Sequence, residues 1–397
     1  MVAESFVPFT LYLLGLAVFA QGTSEFMLSG LLPGIADDLG VSLATAGTLT
    51  SAFAAGMVVG APLVAMLSLR WSPRGALLGF LVTFLLVHVL GALTPTFAVL
   101  LATRVVAALA NAGFLAVALA TATSMVDANA KGRATSVLLG GTTLACVAGV
   151  PAGAVLGQMW GWRSAFWAVA LLSAPAVIAI LFSVPRRPSD SPAAPSLRGE
   201  LRALRSARLV VTLLLAALVN GATFCTFTYL APLVTEVAGL GAAWVPVLLA
   251  LFGVGSFAGV AISGRLADTH PVALLVSGGA ALLVGWAAFA LTAGSAGAAI
   301  VLMLVQSTLS FAVGSTLISQ VLYAAAGAPT VAGGLATAAL NVGAVLGPAL
   351  GGLVLDAGLG YRSPLWVSAV LVALALVLAA AARGARARRE AATVTAR

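Results

Sequence analysis

Gly161-Trp162-Arg163-Ser164-Ala165-Phe166-Trp167 and Gly360-Tyr361-Arg362-Ser363-Pro364-Leu365-Trp366 decide how this chain folds. Each heptapeptide opens a long apolar run, and glycine, an aromatic ring, arginine and serine return in the same order about half a chain apart. A second pair agrees in register. Gly60 to Leu69, then Arg70, lines up with Gly259 to Asp268, then Thr269, and each closes an apolar run of its own half. Self-similarity of this kind marks a chain built from two like halves.

Outward from these pairs the apolar runs number twelve. They cover Phe9–Leu32, Ala46–Leu69, Ala76–Leu93, Phe97–Ser124, Thr135–Met159 and Ser164–Val184, then Val210–Thr235, Trp244–Leu266, Val272–Thr292, Ala298–Leu322, Ala332–Leu355 and Pro364–Ala382. A helix needs about 20 mostly apolar residues to span a bilayer, so each run can cross once. With 61% of residues hydrophobic and 8% charged, too little polar surface remains for a soluble domain. Membrane β-barrels are built from short alternating strands, which such unbroken runs exclude. The expected fold is all-α and integral to the membrane, with twelve transmembrane helices in two pseudo-symmetric six-helix bundles. Its parts are an N-terminal bundle (1–184), a linker (185–208), a C-terminal bundle (209–382) and a basic tail (383–397). Within the linker, Leu197, Leu201 and Leu204 share one face of a short amphipathic helix with arginines around the other, as suits an anionic membrane surface.

The net charge of +8 invites a nucleic-acid partner, but its placement says otherwise. With the N-terminus numbered inside, one side of the membrane collects the lysine and all but three of the arginines, among them Arg70, Arg74, Arg133, Arg265 and Arg383. The other side keeps Arg163 and Arg362. That bias puts both termini in the cytoplasm and makes the basic charge a topology signal. The first run follows Glu4 with no basic residue ahead of it, so it is expected to stay in place rather than be cleaved as a signal peptide. Cys146 and Cys225 fall within runs and lack metal-ligand spacing, and neither histidine has a ligating companion; no metal or cofactor is expected.

Gln21-Gly22-Thr23-Ser24-Glu25-Phe26 in the first run puts a carboxylate where hydrocarbon belongs. A charge at mid-membrane costs roughly 2.5–3.5 kcal/mol on insertion scales, so such residues face a protein interior or a wet cavity. Among acids Glu25 alone lies well inside a run, and among bases Arg104 alone does. Each sits seven residues from the same end of its run, about 10 Å deep at 1.5 Å per residue. Two readings follow: a titratable pair coupling proton to ligand, or a fixed brace between helices. Burial disfavours a charged carboxylate while a neighbouring guanidinium favours it, and ligand or water shifts the balance. Since a buried pair stabilises a fold poorly, the coupling role is expected. Gln21, Asn111, Asn220, Phe224, Tyr229, Gln306 and Asn341 are further candidates to line a cavity, where rings beside amides suit a neutral aromatic amphiphile. His88 is expected to be structural.

Two runs carry matched glycine–proline patterns: Gly149-Val150-Pro151-Ala152-Gly153 in the fifth, and Gly343, Gly347-Pro348 and Gly351-Gly352 in the eleventh. Glycines spaced so make a flat packing face, and proline bends the axis. With the half-chain repeat and Arg104 in the fourth run, the chain resembles the major facilitator superfamily, specifically its twelve-helix drug:proton antiporters, over essentially its whole length. The resemblance implies gating roles for Arg70 and Arg74 after the second span and Asp268 after the eighth, and export-motif roles for Gly149, Pro151, Gly153, Gly347 and Pro348. Leu69 stands where that family's first loop has Asp, and Thr269 and His270 stand where its second loop is basic.

Within that family the chain is most similar to chloramphenicol-resistance exporters of actinobacterial type. Phe19 to Met27, Ala110 to Leu115, Asn220 to Cys225 and Leu309 to Thr316 carry the likeness. It implies a monomeric, non-enzymatic exporter of a small-molecule drug, driven by protons across the bacterial cytoplasmic membrane. Sugar or nucleoside efflux is the alternative. No phosphate-binding glycine loop with Lys-Ser/Thr is present to couple ATP.

Overall fold

The computed structural model describes residues 8–68, 71–126, 131–184, 206–267, 269–324 and 329–395. Arg70, Asp268 and the amphipathic stretch of the linker lie outside them. Twelve helices among the described residues are long and apolar enough to cross a membrane. They are Phe9–Gly30, Leu43–Gly60, Pro73–Leu93, Phe97–Ala122, Arg133–Trp160, Arg163–Ser183, Ala207–Thr228, Trp244–Leu266, Pro271–Thr292, Ala296–Ala324, Gly333–Asp356 and Ser363–Ala385, the first to twelfth spans. In the twelfth, the helix runs on to Thr395, so the basic tail continues it.

Three spans are broken where the apolar pattern alone shows one run, and a proline explains each. A proline ring clashes with the carbonyl four residues earlier and removes one backbone donor. Pro33 ends the first span: the α-helix stops at Phe26, tightens to a 3₁₀ turn over Met27–Gly30, and restarts as Leu32–Leu39. Pro151 follows a π-helical turn over Ala145–Gly149 in the fifth span. Pro232 lies four residues after Thr228, where the seventh span stops; Tyr229 takes φ −103° and ψ 26°, and a π turn follows over Leu233–Val237. Local π and 3₁₀ geometry re-satisfies backbone groups that lipid cannot.

Contacts divide the chain into two compact units. One joins the first six spans to Phe227–Val254, and the other holds the remainder of the second half, so compactness crosses the boundary expected at the linker. Pairing repeats between the halves. The third span packs on the fourth and sixth, as the ninth does on the tenth and twelfth. A core of Leu14, Leu77, Leu81, Phe114, Leu138 and Ile180 joins the first, third, fourth, fifth and sixth spans.

Lipid gives little hydrophobic drive for helix association, so close approach at small residues has to supply the packing. The fifth span lays Gly141, Gly149 and Gly157 along the first, where added Cβ atoms would meet Gly15 and Phe19 backbone, the Thr23 hydroxyl and the Leu31 side chain in turn. In the other unit, Gly343 and Gly347 lie against the backbone of Ala217, Gly221 and Cys225 in the seventh span. Backbone cannot step aside as a side chain can. Gly347→Val should therefore lower stability by about 1–3 kcal/mol, whereas Gly314→Ala, which meets nothing within 4 Å, should leave the melting temperature in detergent unchanged.

Candidate functional site

Ser24 is the hub of the first unit's polar interior. Arg104 Nη1 donates to its Oγ at 2.8 Å and Nη2 to its carbonyl oxygen at 2.8 Å. The guanidinium also lies 4.4 Å from the centre of the Phe53 ring, and Arg104 is 1% exposed. His88 completes the chain of bonds. Its Nδ1 is 2.7 Å from the Phe84 carbonyl and its Nε2 is 2.6 Å from Ser24 Oγ. A carbonyl only accepts, so the proton is assigned to Nδ1 and Nε2 accepts from the Ser24 hydroxyl. The order of donation is Arg104 to Ser24 to His88 to Phe84.

Glu25 is half-buried beside this relay. It is near enough to Arg104 for the two charges to interact, yet they form no ion pair. The counter-ion expected for Glu25 is thus anchored by its neighbour Ser24 instead. This is geometrically reasonable, because the helix tightens at Met27 and carbonyls of its last turn become available to side-chain donors.

Among the described residues, unmet hydrogen-bonding capacity occurs in both units, with five such atoms in the first and three, on Trp286, Gln306 and Ser310, in the second. Both amide atoms of Gln21, one turn before Glu25, the hydroxyl of Thr50 and Nε of Arg104 are buried without partners. Buried polar atoms are nearly always paired, so four on the first, second and fourth spans mark a place suited to ligand or water. Asn111, two turns beyond Arg104, offers its amide to Met57 Sδ at 3.6 Å, a weak acceptor that ligand groups can displace. Tyr229 is buried against Gly47, where any Cβ would strike its ring.

The other unit treats its candidates differently. Asn220 donates to the Leu340 carbonyl at 2.7 Å, tying the seventh span to the eleventh. Gln306 Nε2 donates to the Leu282 carbonyl on the ninth span at 3.1 Å, while its Oε1, set against Gly285, is buried without a partner. Asn341 bonds Thr337 one turn back, and Phe224 is buried. No acid or base lies among them. Gly149 and Gly347 serve the close crossings and Pro151 the break already described; a Cβ at Gly153 would meet Met27 at 3.4 Å, Pro348 lies inside the unbroken eleventh helix, and Arg74 stands in the first turn of the third span. Sequence reading had missed Ser24 as a hub and His88 as its acceptor.

At the end of the first unit remote from the linker, Arg163 forms an ion pair with Asp38, donates to the Thr94 carbonyl at 3.0 Å and lies 4.3 Å over Trp162. Trp162 Nε1 donates to the same carboxylate at 3.1 Å. Hydrogen bonds from Arg163, then from Trp162, hold Asp38 below the usual carboxylate range. A folded-state value below the unfolded one gives stability that is present above the unfolded value and lost as pH falls through the folded one. At neutral pH Asp38→Asn should lower stability by less than about 1 kcal/mol, since both partners are partly exposed. The gap between the two melting temperatures should close below about pH 4.

A family model described as Major Facilitator Superfamily matches residues 14–337. A Streptomyces lividans protein named "Chloramphenicol resistance protein" is 57% identical over 94% of this chain and 96% of its own length. The "Inner membrane transport protein YdhP" of Escherichia coli K12 is 34% identical over 94% and 95%. Among solved structures, a bacterial homologue of the human lysosomal transporter Spinster, inward-facing and unoccupied, aligns with a TM-score of 0.74 over 94% of this chain and 95% of that one. At 19% identity it speaks to the fold alone.

Proposed function

The chain belongs to the major facilitator superfamily, and from that premise we propose that it exports chloramphenicol and related phenicols against inward proton flow by alternating access. The observation that carries the substrate is the 57% identity to the Streptomyces lividans resistance protein, spread along nearly the whole of both chains. What supports the coupling is Glu25, a half-buried acid near a fixed guanidinium and beside unpaired polar atoms of Gln21 and Thr50. A ligand that fills this space changes the solvation of the carboxylate, so proton and drug occupancy become linked free energies. The phenicol ring suits Tyr229 and Phe53, and its amide and hydroxyls suit Gln21 and Asn111. The arginine bias supports cytoplasmic termini in a bacterial inner membrane. A single chain carries every named group, and no enzymatic step is assigned.

Two measurements test this. Everted vesicles holding the chain should accumulate labelled chloramphenicol when a pH gradient, acid inside, is imposed, and should lose it on collapse of the gradient. In a pump-deficient host the chain should raise resistance to phenicols. Resistance to purine or sugar analogues alone overturns the substrate assignment.

A further inference from the structure

We propose that the second unit holds one anionic phospholipid of the inner leaflet, an acyl chain lying in a cleft among the seventh, ninth, tenth and twelfth spans and the phosphate meeting Arg383. The cleft encloses about 220 Å³ between Val219, Val276, Val313 and Leu376, and every lining residue except Arg383 is apolar. Such a surface gives water no partners, and its natural occupant is hydrocarbon. Val276 and Ala380 are exposed, which leaves a lateral opening toward the bilayer.

Depth selects the lipid's leaflet. Arg383 comes twenty residues after Ser363, so it lies about 30 Å along the twelfth span, the thickness of the hydrocarbon core. Leu376 stands about 10 Å above it, and Val219 about 18 Å into the seventh span from Ala207. The cleft thus runs the depth of one leaflet's chains and ends at the headgroup level. There Arg383 is exposed and forms no ion pair among the described residues, and Arg386, Arg388 and Arg389 follow within two turns. The arginine bias assigns this end to the cytoplasmic side, where anionic headgroups meet basic residues. An amphiphile with one anionic head and an apolar tail fits both halves. A neutral drug would find no hydrogen-bonding group inside.

The purified full chain in detergent, titrated with phosphatidylglycerol or with phosphatidylcholine of the same chains, tests this by intact-protein mass spectrometry. Wild type should take up one phosphatidylglycerol saturably and prefer it to phosphatidylcholine. Arg383→Gln, a change at an exposed position, should weaken phosphatidylglycerol binding about fivefold and leave phosphatidylcholine unchanged. Ala379→Phe, which fills the cleft, should weaken both, with thermal unfolding reporting that each variant is folded. Equal phosphatidylglycerol binding by Arg383→Gln and wild type overturns the proposal. Displacement of the lipid by excess chloramphenicol also overturns it, since the cleft would then be a drug site.

Discussion

Glu25→Gln is expected to abolish gradient-driven export while the protein still inserts and folds. The substitution keeps shape and removes only the capacity to exchange a proton. Its structural cost is small, because the Glu25 carboxylate makes no ion pair and no hydrogen bond among the described residues. Without the titratable group, the two conformations no longer differ in proton affinity at this position, and a pH gradient has nothing to act on. Downhill exchange of labelled drug across the membrane should survive, since it needs alternating access but no coupling. Gradient-driven accumulation in everted vesicles at the wild-type rate by the variant would falsify the role given to Glu25.

Arg104→Ala is expected to have the second largest effect, on stability as well as transport. Arg104 is 1% exposed and meets Ser24 twice, so truncation strands the Ser24 acceptors and leaves Glu25 without a nearby cation. Leaving a buried hydrogen-bonding group without its partner costs roughly 1–3 kcal/mol. A second substitution separates the two contributions. Arg104→Ala with Glu25→Gln should regain part of the lost melting temperature, because the stranded charge is gone, yet remain inactive in transport. If the double variant melts no higher than Arg104→Ala, the two charges are not energetically coupled.

The architecture was legible because a membrane writes its demands into composition. Twelve apolar runs, two matched heptapeptides and a one-sided arginine distribution are long-range regularities that local irregularity does not blur. The breaks at Met27, Ala145 and Tyr229 were less visible, although Pro33, Pro151 and Pro232 mark each of them. Hydropathy counts residues and cannot show a helix tightening to 3₁₀ or loosening to π within an apolar run. Glu25 and Arg104 stood out by charge at equal depth. The same estimate applied to His88, five residues from the end of the third run, gives about 8 Å and would have placed it beside them. Asn220 and Gln306 could not be sorted this way. Spans apolar on all sides give no face to read, and only coordinates show that both amides bond neighbouring helices.

The two free cysteines, both buried, set the terms for watching this protein move. Cys225 is fully enclosed with its thiol turned to the Pro364 carbonyl, and Cys146 is 9% exposed within the π turn. Thiol reagents that need water contact will pass over both. A cysteine pair introduced at exposed Asp37 and Ser295, one in each compact unit, would take spin or fluorescent labels against a silent native background. Distances between the units, with and without drug or a pH gradient, then become measurable in a chain that keeps all its own residues elsewhere.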